Sequence, residues 1–259
     1  MSIHPTAVIS PKAEIAPGVN IGPYAVIEEE VTIRERVTIW ANAYICKYTD
    51  IGEDTQIHMG AVIGHLPQDL SFRDKKSRLI IGKRNVIREY ATIHRGTKEG
   101  SATVVGDDNF IMGFAHIAHN CKIENHVVIA NAAALSGYVE VGDRVFISGY
   151  TTIHQFVRIG TIAMIAGQAR VAQDVPPYML LKGDGTIYSP NIVGLRRAGL
   201  SQEARRNIKK AYKILYRSGL NLPNAIAELE KAHLGTEVQH LIDFLRGSKR
   251  GIAPHIKRK

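Results

Sequence analysis

A mainly β fold, a parallel β-helix of hexapeptide repeats followed by a small C-terminal α-helical domain, is predicted by three observations. First, of the 29 positions spaced six apart from Ile3 to Val171, 26 are Ile, Leu or Val, the exceptions being Asp69, Lys75 and Glu99. A period of six fits neither the 3.6 of a helix nor plain alternation, and it matches the hexad of a β-helix. Second, the position two before the aliphatic is usually small or β-branched (Ala7, Ala13, Val19, Ala25, Val31, Val37, Ala43), as a narrow corner requires. Third, the hexads stop after Val171 and apolar residues resume at helical spacing beyond residue 200.

Each hexad supplies one short strand and one corner, and three hexads close one triangular coil. Positions three hexads apart then stack one strand spacing apart, so Ile117, Leu135 and Ile153 form one internal ladder. About nine such coils make a prism roughly 45 Å long in which each coil touches only its neighbours. The phase holds through eleven isoleucines, Ile3 to Ile63, and then breaks twice. Loops are predicted at 64–80 (GHLPQDLSFRDKKSRL and its flank) and 95–104 (RGTKEGSAT and its flank), and departures from a strong repeat are where function is grafted. Because 63 and 81 are one whole coil apart, the first loop is expected to leave the prism and return in register. At QDVPPY, Pro176 and Pro177 are expected to end strand pairing.

The prism is assigned to residues 1–188 and the helical domain to 189–259. Ser201 can cap a helix carrying Ala204, Ile208, Ala211, Tyr212 and Leu215 on one face, with Gly219 as its stop. Arg205, Arg206, Lys209, Lys210, Lys213 and Arg217 cover the other face, either as a solvated surface or as a dock for an acidic carrier protein. Val238, Leu241, Ile242 and Leu245 repeat the apolar pattern. The tail from Lys249 to Lys259 holds five basic residues and is expected to be disordered at its end.

Net charge is +9, from 33 basic and 24 acidic residues, which suits an acidic partner, substrate phosphates or an anionic surface. No nucleic-acid motif accompanies it. Two cysteines, Cys46 and Cys121, lie within hexads and read as reduced packing residues. No leader and no apolar run of membrane-spanning length is present, so no membrane span and a cytoplasmic location are expected.

Chemistry concentrates in histidines. His94, His116, His119 and His154 all flank core aliphatics, so they are expected to point outward or sit at corners. Ile117 and Ile153 share a ladder, which places His116 and His154 on one face about 10 Å apart. Counting in coils of three hexads puts Ile93 on a different face, so His94 is expected to meet the others only across a subunit boundary. Histidine suits general-base work near neutral pH.

The segments TIHRGT (92–97), MGFAHIAHNC (112–121), IHQF (153–156), VAQDVPPY (171–178), NIVGLRRAGL (191–200) and AYKILYRSG (211–219) resemble the UDP-N-acetylglucosamine O-acyltransferases that begin lipid A synthesis. Nearly the whole chain is covered. The resemblance implies a left-handed coil, a homotrimer with sites between subunits, and transfer of a 3-hydroxyacyl group from acyl carrier protein to the 3-position of the UDP-sugar. No cofactor or metal is implied beyond the carrier's phosphopantetheine. By the same resemblance His119 is the general base and the Gly137 N–H the oxyanion donor. Asp69, His94 and His116 match sugar contacts, and His154, Gln155, Asn191 and Arg197 match contacts to the nucleotide or nearby acyl chain. Gly167 matches a position that measures acyl length, and Arg170 beside it is expected to cap the acyl groove.

Several positions depart from the family pattern. Asn120 replaces the Asp after the base, Ser71 a loop lysine, Tyr138 a histidine after the oxyanion glycine, and Val193 and Ala198 a Glu and an Arg. Loss of the lysine removes a like charge beside an ammonium-forming nucleophile, so an acceptor with a 3-amino group is the alternative. The pathway's later N-acyltransferase carries a uridine-binding domain before its helix, whereas hexads here begin at residue 3. A γ-class carbonic anhydrase needs three zinc-binding histidines at another spacing. A non-catalytic scaffold leaves the histidine cluster unexplained.

Overall fold

The computed structural model describes residues 2–255. From Ser2–Ile3 to Arg170–Val171, 26 short strands wind a left-handed parallel β-helix whose three flat faces are three sheets. The aliphatic of each hexad points inward, and from Ile21 onward these side chains are almost wholly buried. Ile117, Leu135 and Ile153 are in register on one sheet, each at most 1% exposed. Corner residues repeatedly adopt positive φ, including Asn120 (60°), Tyr138 (60°) and Phe156 (66°). These three stack along the edge between the second and third sheets, with the Tyr138 and Phe156 rings 5.0 Å apart and nearly parallel. The contact offsets part of the roughly 1–2 kcal/mol that left-handed backbone costs a residue with a Cβ.

The two loops alter the stacking. In the early coils partners are three hexads apart, as Asn20 is from Thr38. Gln56, however, pairs with Val86, five hexads on, and Val86 pairs with Phe110, four hexads on. The first loop therefore inserts two hexads and the second loop one. Residue 81 does not stack on 63: Ile63 belongs to the second sheet and Ile81 to the third. Both loops leave from the edge between those two sheets.

Strand pairing also continues past the double proline. Val175 N–H donates to Arg158 O, and Met179–Leu181 stacks in parallel on Met164–Ile165. Pro176 and Pro177 fall at a corner, where a missing N–H interrupts no ladder. Ile187–Pro190 then turns back antiparallel, spanning residues 188 and 189.

Four helices follow: α1 (Ile192–Arg197), α2 (Gln202–Arg217), α3 (Leu222–Lys231) and α4 (Thr236–Arg246). Ser201 caps α2 by accepting from Ala204 N–H at 3.0 Å, and the five expected apolar residues of α2 are buried. Leu195, Ile208, Leu229 and Leu241 join the same continuous apolar core as the prism. The tail returns to the prism, where Ala253 N–H donates to Asp174 O and Ile187 N–H to Pro254 O. The expected disorder at the end of the tail concerns residues 256–259, outside the described residues. Among the described residues no helix is long and apolar enough to cross a membrane. Cys46 and Cys121 are free and buried, and desolvation pushes both thiols up to about 12.

Candidate active site

The loops and the histidines converge on the edge between the second and third sheets. Val62–His65, Thr92–His94 and His116–Ile117 are consecutive strands of the second sheet, with Ile93 opposite Ile117. His94 thus meets His116 within one chain, their ring centroids 4.9 Å apart and edge to face. This corrects the expectation of a meeting only across a subunit boundary, which ignored the hexad added by the second loop. Nor does His94 point into solvent, being 4% exposed with its Nδ1 buried and unpartnered. Burial, reinforced by the neighbouring imidazoles, lowers its pKa to about 4. His116 is also held below the ordinary imidazole value by burial, then by the charge of His119. Its Nδ1 lies 2.7 Å from Thr92 Oγ1.

His65 stands opposite His94 across the strand pair, with rings 6.2 Å apart. Its role in this cluster was not read from the sequence. The register slips between Ile63 and His65. Gly64 makes this possible, since φ is +83° and a Cβ there would lie 3.4 Å from Cys46 O and collide with Thr49 Oγ1.

His119 occupies the next corner, buried, with its imidazole lying on the backbone of Gly137. A Cβ on residue 137 would fall 2.7 Å from His119 Nε2 and closer still to Cε1, so only glycine fits beneath this ring. The Gly137 N–H has no partner among the described residues. His119 Nδ1 lies 3.1 Å from Asn120 Oδ1, which also accepts from Thr97 N–H at 3.1 Å and the Thr97 hydroxyl at 2.9 Å. Tyr138 reaches the same Thr97 hydroxyl at 3.1 Å and sets its ring edge to face against His119.

The first loop brings Asp69 to this edge. Its carboxylate accepts from Ser71 N–H at 2.8 Å and Ser71 hydroxyl at 2.7 Å, bonds that hold its pKa below the usual range, with His119 and Arg73 adding to the effect. The loop is pinned by Arg95, another residue the sequence reading passed over. Arg95 is 1% exposed; its guanidinium lies over the Tyr48 and Phe72 rings and donates to Asp74 Oδ1 at 2.6 Å. No signal in the sequence marks it out, because its burial depends on the aromatic residues of the coil and loop that fold over it.

The remaining sequence-selected residues are spread around the prism. His154 and Gln155 lie on the same edge further along, with His154 exposed and its Nδ1 3.1 Å from Gln155 O. Gly167 lies on the edge between first and second sheets, and a Cβ there would make only ordinary contact with Gly149 O at 3.5 Å. The backbone does not demand glycine, so its absence of a side chain leaves surface free. Arg170 is exposed on the second sheet beside Thr152.

Asn191 caps α1, accepting from Gly194 N–H at 3.0 Å and donating to Ile162 O at 2.8 Å, so its side chain is engaged in holding the helix. Exposed Arg197 ends α1, preceding Ala198, which lies beside Asn125, Asp143 and Thr161 on the edge between third and first sheets. In one chain Arg197 and His119 are thus on different edges. A groove of about 880 Å³ runs from Asn120 and Tyr138 past Phe156 to Lys249 and Arg250. Among the described residues no group of three or more His, Cys, Asp or Glu is arranged to hold a metal ion.

Comparison with known proteins agrees with this architecture. Residues 102–137 match the bacterial transferase hexapeptide model of six repeats, and residues 174–253 match domain 2 of UDP-N-acetylglucosamine O-acyltransferase. An acyl-[acyl-carrier-protein]–UDP-N-acetylglucosamine O-acyltransferase from Gloeothece citriformis is 45% identical over 201 residues, covering 77% of this chain and 73% of its own. One from Burkholderia lata is 42% identical, covering 78% and 80%. The crystal structure of a UDP-N-acetylglucosamine acyltransferase from Bacteroides fragilis superposes with a TM-score of 0.94 at 40% identity, covering 96% of this chain and 99% of that one. On this identity and coverage the chain belongs to the UDP-N-acetylglucosamine O-acyltransferase family.

Proposed function

We propose that this protein transfers a 3-hydroxyacyl group from acyl carrier protein to the 3-position of UDP-N-acetylglucosamine, the first step of lipid A synthesis. The observation that carries the reading is the seat of His119 on Gly137, with Nδ1 against an amide oxygen and Nε2 free to take a proton. His119 Nε2 removes the proton of the sugar hydroxyl as its oxygen attacks the thioester carbonyl. The Gly137 N–H receives the oxyanion, a donor worth about 3–4 kcal/mol in a dry site. Collapse forms the ester C–O bond and breaks the C–S bond, and the imidazolium returns its proton to the departing thiolate.

His94 and His116 stay neutral near pH 7 and act as hydrogen-bonding groups for the sugar, with Asp69 supplied by the loop. Arg197, through its planar fork, contacts the diphosphate, and His154 and Gln155 contact the nucleotide or acyl chain, while Asn191 positions α1. Gly167 and Arg170 bound the acyl chain. Because Arg197 and His119 lie on different edges of one prism, the working unit is a homotrimer in which unlike edges meet. The setting is the cytoplasm and no cofactor is required, the donor being carried on phosphopantetheine.

A second reading, transfer to a 3-amino acceptor with an amide product, is favoured by one feature. Among the described residues the Asp69 carboxylate accepts side-chain hydrogen bonds only from the neutral Ser71, so its charge is available to an ammonium group. The test is incubation with 3-hydroxyacyl carrier protein and an equimolar mixture of the 3-hydroxy and 3-amino sugar nucleotides, followed by mass spectrometry, with His119→Ala alongside. Ester product that disappears in the variant is expected. Amide as the dominant product would replace the first reading by the second, and no acylated nucleotide at any chain length would reject both.

A further inference from the structure

Asn120 poses a problem that its geometry also answers. A carboxylate beside a base histidine accepts a proton through either oxygen, so it selects the Nδ1–H tautomer however it is turned. An amide has one accepting end and one donating end, and a half-turn would present N–H to His119 Nδ1, drive the proton to Nε2 and abolish the base. Its left-handed φ of 60° does not explain the amide, because Asp54 and Asp108 hold equivalent corners at 58° and 59°.

Two donors decide which end faces the histidine. The Thr97 backbone N–H can only donate, and it points at Asn120 Oδ1 from 3.1 Å. The Thr97 hydroxyl donates to the same oxygen at 2.9 Å, and with its proton so committed it accepts from Tyr138 O–H at 3.1 Å. The Asn120 backbone is held in turn by its N–H donating to Thr103 Oγ1 at 2.7 Å. Tyr138 is itself fixed between the His119 ring edge and the Phe156 face.

We propose that Thr97 and Tyr138 are positioning residues that lock the Asn120 amide, so that a neutral side chain presets His119 with Nδ1 protonated and Nε2 open. The inference rests on the reading of His119 as general base. It makes the second loop, which carries Thr97, part of the catalytic apparatus without contact to substrate. It also links two positions that both depart from the family pattern, since the tyrosine completes what the amide requires.

The test is a double-mutant cycle on kcat/KM with 3-hydroxyacyl carrier protein and UDP-N-acetylglucosamine. Thr97→Val and, separately, Tyr138→Phe are measured in the wild-type and Asn120→Asp backgrounds. Each single change is expected to lower kcat, with KM nearly constant, by about 3- to 10-fold, the size of one or two hydrogen bonds. In the Asn120→Asp background the same changes are expected to lower it less than about 2-fold, since a carboxylate needs no lock. Equal losses in both backgrounds, or none in either, would overturn the proposal.

Nitrogen-15 spectra of histidine give a readout independent of turnover. Wild type is expected to show pyrrole-type Nδ1 and pyridine-type Nε2 at His119, with a mixture in Thr97→Val, and unchanged populations would again refute the lock. If wild type has no His119-dependent activity while the tautomer shifts as expected, the enzymatic reading fails and the lock stands.

Discussion

His94 and His116 touch through their rings beside a third imidazole, and burial keeps both from charging. Folding lowers the pKa of His94 from 6.5 to about 4. Below pH 6.5 the unfolded chain binds a proton that the folded chain refuses, so stability drains as pH falls through this window and levels off near 4. The loss from this residue is on the order of 3 kcal/mol. Chemical denaturation at a series of pH values should show His94→Gln flattening that slope between pH 6.5 and 4. An unchanged slope would mean the ring is charged or hydrated in the fold. Also at this scale, Gly137→Ala should retain the fold but displace the His119 ring, lowering kcat by roughly 100-fold, as misplacement by an ångström can. A melting temperature close to wild type would separate this loss from unfolding.

At the scale of elements, the first loop has little apolar hold on the prism. Leu70 is wholly exposed, and the loop is secured by Arg95 between Tyr48 and Phe72 with its bond to Asp74, and by Lys76 on Glu30. Arg95→Met should free the segment around residues 66–73 to proteolysis and raise KM for the sugar nucleotide several-fold more than it lowers kcat. Equal resistance to protease would assign the hold to other contacts. The loops also show what a repeat conceals. Their insertions are whole hexads, two and then one, so every aliphatic still points inward and the period of six remains readable. Which face a hexad occupies depends on the threefold count of hexads per coil, which the insertions shift. That is why the inward residues were legible while the partner of His94 was misjudged. The short α3 escaped notice because only Ala225 and Leu229 of its ten residues are buried, too few for a helical period. Arg95 and Thr97 looked like loop polarity, since their significance lies in what folds over them.

At the scale of the whole molecule, stability is a stack of neighbouring coils rather than a single globular core. Leu135 is fully buried between Ile117 and Ile153. Leu135→Ala should destabilise the prism by about 2–5 kcal/mol in equilibrium denaturation, since a closed coil cannot collapse around the cavity. A loss well below 1 kcal/mol would mean that the coils adjust freely. The same rigidity separates functions in space. His119, Gly167 and Arg197 belong to three different edges, and no bend of a close-packed prism brings them together. On the proposed function, a site that uses His119 and Arg197 together draws on a second copy, through a head-to-tail contact that closes as a ring.

Mixed assemblies test this most directly. His119→Ala and Arg197→Ala protomers, each poorly active alone, are unfolded together, refolded at equal ratio and assayed for acyl transfer. If each site takes its histidine from one copy and its arginine from the next, random trimers should recover roughly a quarter of wild-type activity. Activity no higher than that of the two variants refolded separately would contradict a site shared between copies.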